Sequence, residues 1–105
     1  MNIMKIFEIY LEVFNKLNEL YFSNRKKYDS FGILLGQMSP DIFSNSYSAD
    51  SAWFSEFSKG INALNKKNPT IKEGLDVMFD MIQEYNHAPY NIEAFLDDYQ
   101  ELYKF

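Results

Sequence analysis

IMKIFEIYLEVFNKLNELYF, Ile3 to Phe22, places apolar side chains at Ile3, Ile6, Phe7, Tyr10, Val13, Phe14, Leu17, Leu20 and Tyr21. That spacing keeps to a 3.6-residue period for about five turns, so one side of a helix is apolar along its whole length. Lys5, Glu8, Glu12, Lys16 and Glu19 fall on the opposite side, and Glu12 with Lys16 makes a favourable i,i+4 pair. The stretch predicts a long amphipathic helix and sets the class of the fold.

Outward from it, SNRKKYDS (Ser23–Ser30) is a polar connection and FGILLGQM (Phe31–Met38) a short buried helix. Gly32 and Gly36, four apart, predict close local packing. Ser39-Pro40 ends the helix, because a residue before proline avoids the helical region. Asp50 is a good N-cap, its carboxylate accepting the free N–H groups of a first turn. The third helix is expected over Ser51–Lys66, with Trp53, Phe54, Phe57, Ile61 and Leu64 inward and Gly60 a point of bending or division. KKNP (Lys66–Pro69) closes it. Thr70 and Glu73 have the spacing of a capping box. Leu75, Met78, Phe79, Ile82 and Tyr85 then give the stripe of a helix ending near Asn86. NHAPYN (Asn86–Asn91) is a turn, and Asn91 is expected to cap a last helix that turns Ile92, Phe95, Leu96, Tyr99, Leu102 and Tyr103 inward. No strand-like alternation runs beyond a few residues. The expectation is all-α: a compact single-domain bundle of about five helices over residues 1–105.

A chain of 105 residues has room for one core. With 47% apolar and 18% aromatic residues it is not a disordered chain. Ten Phe and eight Tyr promise a core rich in rings. The absence of cysteine excludes disulfides, thiolate metal sites and a Cys nucleophile. Lys5, Glu8 and Glu12 interrupt the first apolar positions before a signal-peptide core can form, and no run of about 18 uncharged apolar residues could span a bilayer. A cytoplasmic protein is expected.

Net charge is −5, and its placement is uneven. Residues 1–70 hold seven acids and eight bases, whereas residues 71–105 hold eight acids against Lys72 and Lys104. Such an end disfavours nucleic acid and favours a cationic partner. Asp76, Asp80 and Glu84 lie one helical turn apart, and Glu93, Asp97 and Glu101 repeat the spacing on the expected last helix. Like charges so placed repel by about 0.2–0.5 kcal/mol per pair. Two such stripes without matching bases point to a docking face.

No catalytic set accompanies these acids. His87, the single histidine, sits in a turn without an orienting carboxylate or a nucleophile nearby in sequence. Asp97 and Asp98 are adjacent, so in a helix they point about 100° apart and cannot share a proton. One histidine and no cysteine leave only oxygen ligands for a metal, without an EF-hand pattern. The expectation is a protein that is not an enzyme and needs no cofactor, membrane or small-molecule ligand.

Between the second and third helices runs LLGQMSPDIFSNSYSADSAWFSEF, Leu34 to Phe57, free of Lys and Arg and rich in serine. Serines suit a connection because they bond their own backbone. Ile42 and Phe43 are expected to dip into the core, and Trp53 to pack there.

The residues Leu34-Leu35-Gly36-Gln37-Met38-Ser39-Pro40, then Ser48-Ala49-Asp50 and Trp53 with Phe57, followed by GLDVMFDMIQEYN (Gly74–Asn86), resemble the small helical immunity proteins of bacterial contact-dependent growth inhibition systems. The likeness spans about residues 30–86 and departs from the family pattern at Gln37, where an acid is usual, and at Asn45-Ser46, where a glycine turn is usual. It implies an immunity protein of toxin–antitoxin type, a ribonuclease inhibitor that binds the toxin domain delivered by a neighbouring cell and blocks its active site. A toxin that cleaves RNA attracts phosphate and tends to be cationic, so an acidic face suits it. The residues expected at that interface are Asp76, Asp80, Asp97, Asp98 and Glu101, with Tyr47 as an aromatic anchor in an exposed loop. The alternative is a helical structural module that self-associates through aromatic surface, its acids serving solubility.

Overall fold

A computed structural model describes residues 1–41 and 47–104, so the expected roles of Ile42, Phe43, Asn45 and Ser46 lie outside the described residues. Helix α1 runs Ile3–Ser23, α2 Phe31–Met38, α3 Ser51–Ala63, α4 Ile71–Gln83 and α5 Glu93–Asp97, followed by a 3-10 helix, Tyr99–Tyr103. The all-α expectation holds, with one addition that no alternation in the sequence announces. Pro40–Asp41 (β1) pairs antiparallel with Tyr47–Ser48 (β2), Pro40 opposite Ser48 and Asp41 opposite Tyr47.

The helix starts follow local chemistry. Asn2 caps α1 by accepting from the Met4 N–H at 2.7 Å. Asp50 caps α3 by accepting from the Ala52 N–H at 3.0 Å. At α4 the capping box is complete, the Glu73 N–H donating to Thr70 Oγ1 at 3.1 Å and the Thr70 N–H to Glu73 Oε1 at 2.9 Å. α3 stops at Ala63 rather than Lys66 because Asn65 takes a left-handed backbone, φ 54°, which ends a helix and which asparagine tolerates.

α1 buries Ile6, Phe7, Ile9, Tyr10, Val13 and Leu17, while Ile3 at its start is 47% exposed. Rings fill the space beneath it. Tyr10 meets Phe54 and Phe57 edge-on at 5.3 and 5.2 Å, and Phe31 stacks on Phe95 at 3.7 Å. The Tyr10 hydroxyl donates to the Met38 carbonyl, which ties α1 to the end of α2. Tyr28 is buried as well, so the Ser23–Ser30 connection is not wholly polar.

Two close approaches seat α4. A Cβ on Gly74 would lie 2.7 Å from Ile9 Cγ2 and 3.0 Å from Val13 Cγ2, both branches of stiff side chains on α1. A Cβ on Gly60 would lie 2.5 Å from Val77 Cγ1. Gly60 therefore does not divide α3, which is continuous through it. Its role is contact with α4.

The last helix differs from expectation. Asn91 does not cap it; Ile92 occupies that position without a side-chain hydrogen bond. α5 stops at Asp97 and the chain tightens into i→i+3 bonding, the Glu101 N–H donating to the Asp98 carbonyl at 3.0 Å. Two hydroxyls hold this turn, Tyr99 donating to the Leu75 carbonyl at 2.8 Å and Tyr103 to Asp76 Oδ1 at 2.7 Å. In a 3-10 helix residues three apart eclipse, so Tyr99 and Leu102 are buried together and Asp98 aligns with Glu101. The continuous edge Glu93–Asp97–Glu101 is not formed.

These contacts predict opposite effects for two glycine-to-alanine changes. Gly74→Ala should destabilise by about 1–2 kcal/mol, since overpacking against α1 outweighs the gain in helix propensity. Gly36→Ala, whose Cβ would meet nothing within 4 Å, should stabilise by about 0.5–1 kcal/mol. Urea denaturation of both variants checks the pair.

Candidate functional site

The spaced motif from Leu34 to Trp53 closes into one hydrogen-bonded unit. The Gln37 carbonyl accepts the Asp50 N–H at 2.7 Å, and the Ser39 carbonyl accepts the Ala49 N–H at 2.9 Å. Ser48, fully buried, donates from its hydroxyl to the Asp50 carbonyl at 2.6 Å and accepts the Phe54 N–H at 3.1 Å. The Trp53 indole N–H donates to Gln37 Oε1 at 3.1 Å. Trp53 is 3% exposed, packed as expected.

Folding redistributes the acids of the C-terminal third. Lys27 reaches Asp98 at 2.7 Å, Lys66 pairs with Glu73, and Lys104 pairs with Glu101 at 2.9 Å. Asp98 also accepts from the Tyr28 hydroxyl at 2.6 Å, and its carboxyl is held below the usual range by Lys27 first and Tyr28 second. Lys66, then the Thr70 N–H, lowers Glu73 likewise. Two lysines from the first two-thirds of the chain thus meet Asp98 and Glu73, which lie outside the two acidic stripes; within the stripes Glu101 is paired, with Lys104. Asp97 remains exposed, on a different side from the half-buried Asp98.

Tyr47 does not project from an exposed loop. It is half-buried in β2 with a positive φ of 63°, its ring 5.2 Å from Phe7 and 5.0 Å from Phe54. Its remaining surface joins Ile3 and Ser55 in a shallow groove beside α3.

Asp80 and Glu84 have a different setting. Both are exposed on the outer side of α4 and its end, and no cation pairs with either among the described residues. Together with Glu56 of α3 they border a cavity of about 170 Å³ between α3 and α4. Trp53, Tyr85 and Met81 supply its apolar wall, the Trp53 and Tyr85 rings stacked at 5.0 Å and 26°. Tyr90 meets Tyr85 edge-on at 5.8 Å and braces it. Burial comes first in pushing the Tyr85 phenol above its ordinary value, followed by the charges of Asp50, Tyr90, Glu84 and Glu56. The wall is aromatic and the rim is negative. Among the described residues no three His, Cys, Asp or Glu are grouped to hold a metal ion. An aromatic wall with a negative rim suits an organic cation.

Sequence reasoning placed Asp80 and Glu84 in one acidic stripe but missed Tyr85 and Glu56 as their companions. The available signal was Glu56 one turn after Trp53, and Glu84 and Tyr85 one turn beyond Asp80. The pairing of the two helices, which makes a site of them, has no local signature. His87 is exposed in the turn that follows, its Nδ1 2.8 Å from the Ala88 carbonyl.

Several phenols are held neutral by the fold. Tyr28 is pushed up to about 12 by burial, by its hydrogen bond to Asp98 and by the charges of Asp98 and Glu101. Burial raises Tyr10, Tyr99 and Tyr103 too, with Asp76 and Asp80 adding to the last two. In the unfolded chain a tyrosine ionises near pH 10. A folded value above the unfolded one contributes stability that is whole below about pH 10 and is lost as pH rises through the folded value. Urea midpoints measured from pH 8 to 11.5 should fall steeply above 10. Tyr28→Phe should lower the midpoint at pH 7 and flatten that decline.

Neither a family model, a curated protein nor a solved structure matches the chain, so the reading of this surface rests on its own chemistry.

Proposed function

We propose that this protein is an inhibitor that binds a cationic toxin domain, of ribonuclease type, in the cytoplasm of the cell that makes it, as an immunity protein of contact-dependent growth inhibition does. It acts without chemistry of its own, by occupying the toxin's phosphate-attracting active site. The observation that carries the reading is the outer side of α4, where Asp80 and Glu84 stay uncompensated while Asp98, Glu101 and Glu73 are tied to lysines. Uncompensated carboxylates on a rigid helix attract a basic surface over the last part of its approach and order it at contact. The motif between Leu34 and Trp53 supports the same reading through its resemblance, and among the described residues no helix is long and apolar enough to cross a membrane.

Within the acidic set the reading rests on the following residues. Asp80 and Asp76 remain, Asp76 sharing its carboxylate with the Tyr103 hydroxyl. Glu84 joins them. Asp98 becomes a residue of the fold. Titration into the toxin domain encoded immediately upstream, following RNA cleavage, should give stoichiometric inhibition that weakens between low and high salt. Reversing Asp80 and Glu84 to lysine should weaken binding by at least about tenfold and reduce the salt dependence. Asp98→Asn should leave affinity intact and lower the unfolding midpoint instead. Affinity unchanged by the double reversal would sink the assignment of this face.

A second reading is favoured by Phe22 and Ile33, 57% and 60% exposed. Large apolar side chains so open are used for self-association in helical modules. Sedimentation across a concentration series should show a monomer; a dimer abolished by Ile33→Lys would favour this reading over the first.

A further inference from the structure

We propose that the cleft between α3 and α4 receives a single arginine side chain from the cationic protein partner. The proposal rests on the inhibitor reading for the nature of that partner, and on the cleft's own shape and chemistry for the residue. A cavity of about 170 Å³ is smaller than the 300–1,000 Å³ that small-molecule sites occupy, and it has room for one long side chain. Carboxylates on open surface would only bind water and salt. Here they border an aromatic wall, and that combination selects the ligand.

A guanidinium is a planar, weakly hydrated cation that stacks on aromatic faces, indole best of all, and donates five N–H groups outward in its plane. Tyr85, half-buried and backed by the Trp53 ring stacked against it, offers the open aromatic surface. Asp80 and Glu84 lie along one wall and Glu56 on the other, so acceptors stand on both sides of a bound plane. Among the described residues Glu56 pairs with Lys59, at 3.3 Å, on the open surface, the side chains 59% and 73% exposed. An incoming guanidinium displaces such a pair easily. A lysine ammonium is a compact, strongly hydrated point charge that cannot bridge the two walls. Met81 adds a polarizable lining that adapts to the alkyl stem. The cleft is also pre-formed: Trp53 is fixed by Gln37 and Tyr85 by Tyr90, so little ordering is left for binding to impose.

Trp53 is the only tryptophan, so its fluorescence reports on this cleft alone. The test adds N-acetyl-arginine methylamide to the whole protein at low salt and follows Trp53 emission, with the lysine derivative and the neutral citrulline derivative alongside. Arginine should saturate with a dissociation constant on the order of millimolar. The citrulline derivative should not saturate, and the lysine derivative should bind about tenfold more weakly. The exposed pair Asp80→Asn, Glu84→Gln should weaken arginine binding by about tenfold, with an unchanged circular dichroism spectrum. No saturable response to arginine, equal binding of citrulline or lysine, or indifference to the double variant would each overturn the proposal. The toxin titration separates this from the inhibitor reading. Strong inhibition without arginine binding removes the cleft and keeps the inhibitor. Arginine binding without inhibition keeps the cleft's chemistry and removes the toxin as its source.

Discussion

The bundle depends on how near α4 can come to its two neighbours. Gly74 lets its backbone settle onto Ile9 and Val13 of α1, and Gly60 lets α3 close on Val77. Each missing Cβ removes a clash that no rotamer change could relieve at a β-branched side chain. With α4 seated, Leu75, Met78 and Ile82 complete a core otherwise walled by rings, and the Leu75 carbonyl is placed to receive the Tyr99 hydroxyl. The same seating brings Tyr85, two residues past α4, onto Trp53 of α3. The candidate cleft is therefore a by-product of core packing. Its walls cannot move without moving the core.

What was legible in the sequence and what was not divides along the range of the interactions. The caps at Asp50 and Thr70 are decided within three residues, and both were readable. The five-turn stripe of α1 is decided within one helix, and it was readable as well. Gly60 misled because a glycine inside a helix looks the same whether it divides the helix or admits a neighbour. Asn91 misled because a capping residue type does not oblige a cap. There the hydroxyls of Tyr99 and Tyr103 bond to α4 and draw the segment into a 3-10 turn. The two-residue pairing of β1 with β2 is too short to leave a pattern. Net charge by segment misled most, since Lys27 and Asp98 are 70 or so positions apart and no local rule joins them.

The motif that resembles an immunity family is, in its geometry, a fold device. Its polar atoms face one another: Ser48 bridges Asp50 and Phe54, and Gln37 takes the indole N–H. Among the described residues no buried side-chain nitrogen or oxygen lacks a partner. A satisfied network of this kind makes the loop rigid and leaves little to offer a ligand. Recognition has to come from surface the motif supports without containing. Trp53 stands at that boundary, its N–H turned to the motif and its ring to the cleft. A family could keep the first contact and vary Asp80, Glu84 and Glu56 around the second.

Two physical effects then act at different ranges. The Lys27–Asp98, Lys66–Glu73 and Lys104–Glu101 pairs sit on or near the surface, where such pairs contribute little to stability. Their larger consequence is to cancel the local fields of Asp98, Glu73 and Glu101 while those of Asp80 and Glu84 remain. At physiological ionic strength a field reaches about 8 Å, so this face guides a basic partner only over the last approach. Holding the partner is a separate matter, settled inside the cleft, where aromatic walls exclude water and screening is weaker. A neutral replacement on the outer helix and one on the cleft's rim should therefore differ in kind. The first slows association and flattens its salt dependence, and the second speeds dissociation at every salt concentration. Asp76, which does not border the cleft, and Glu84, which does, are the two positions at which that division would be visible.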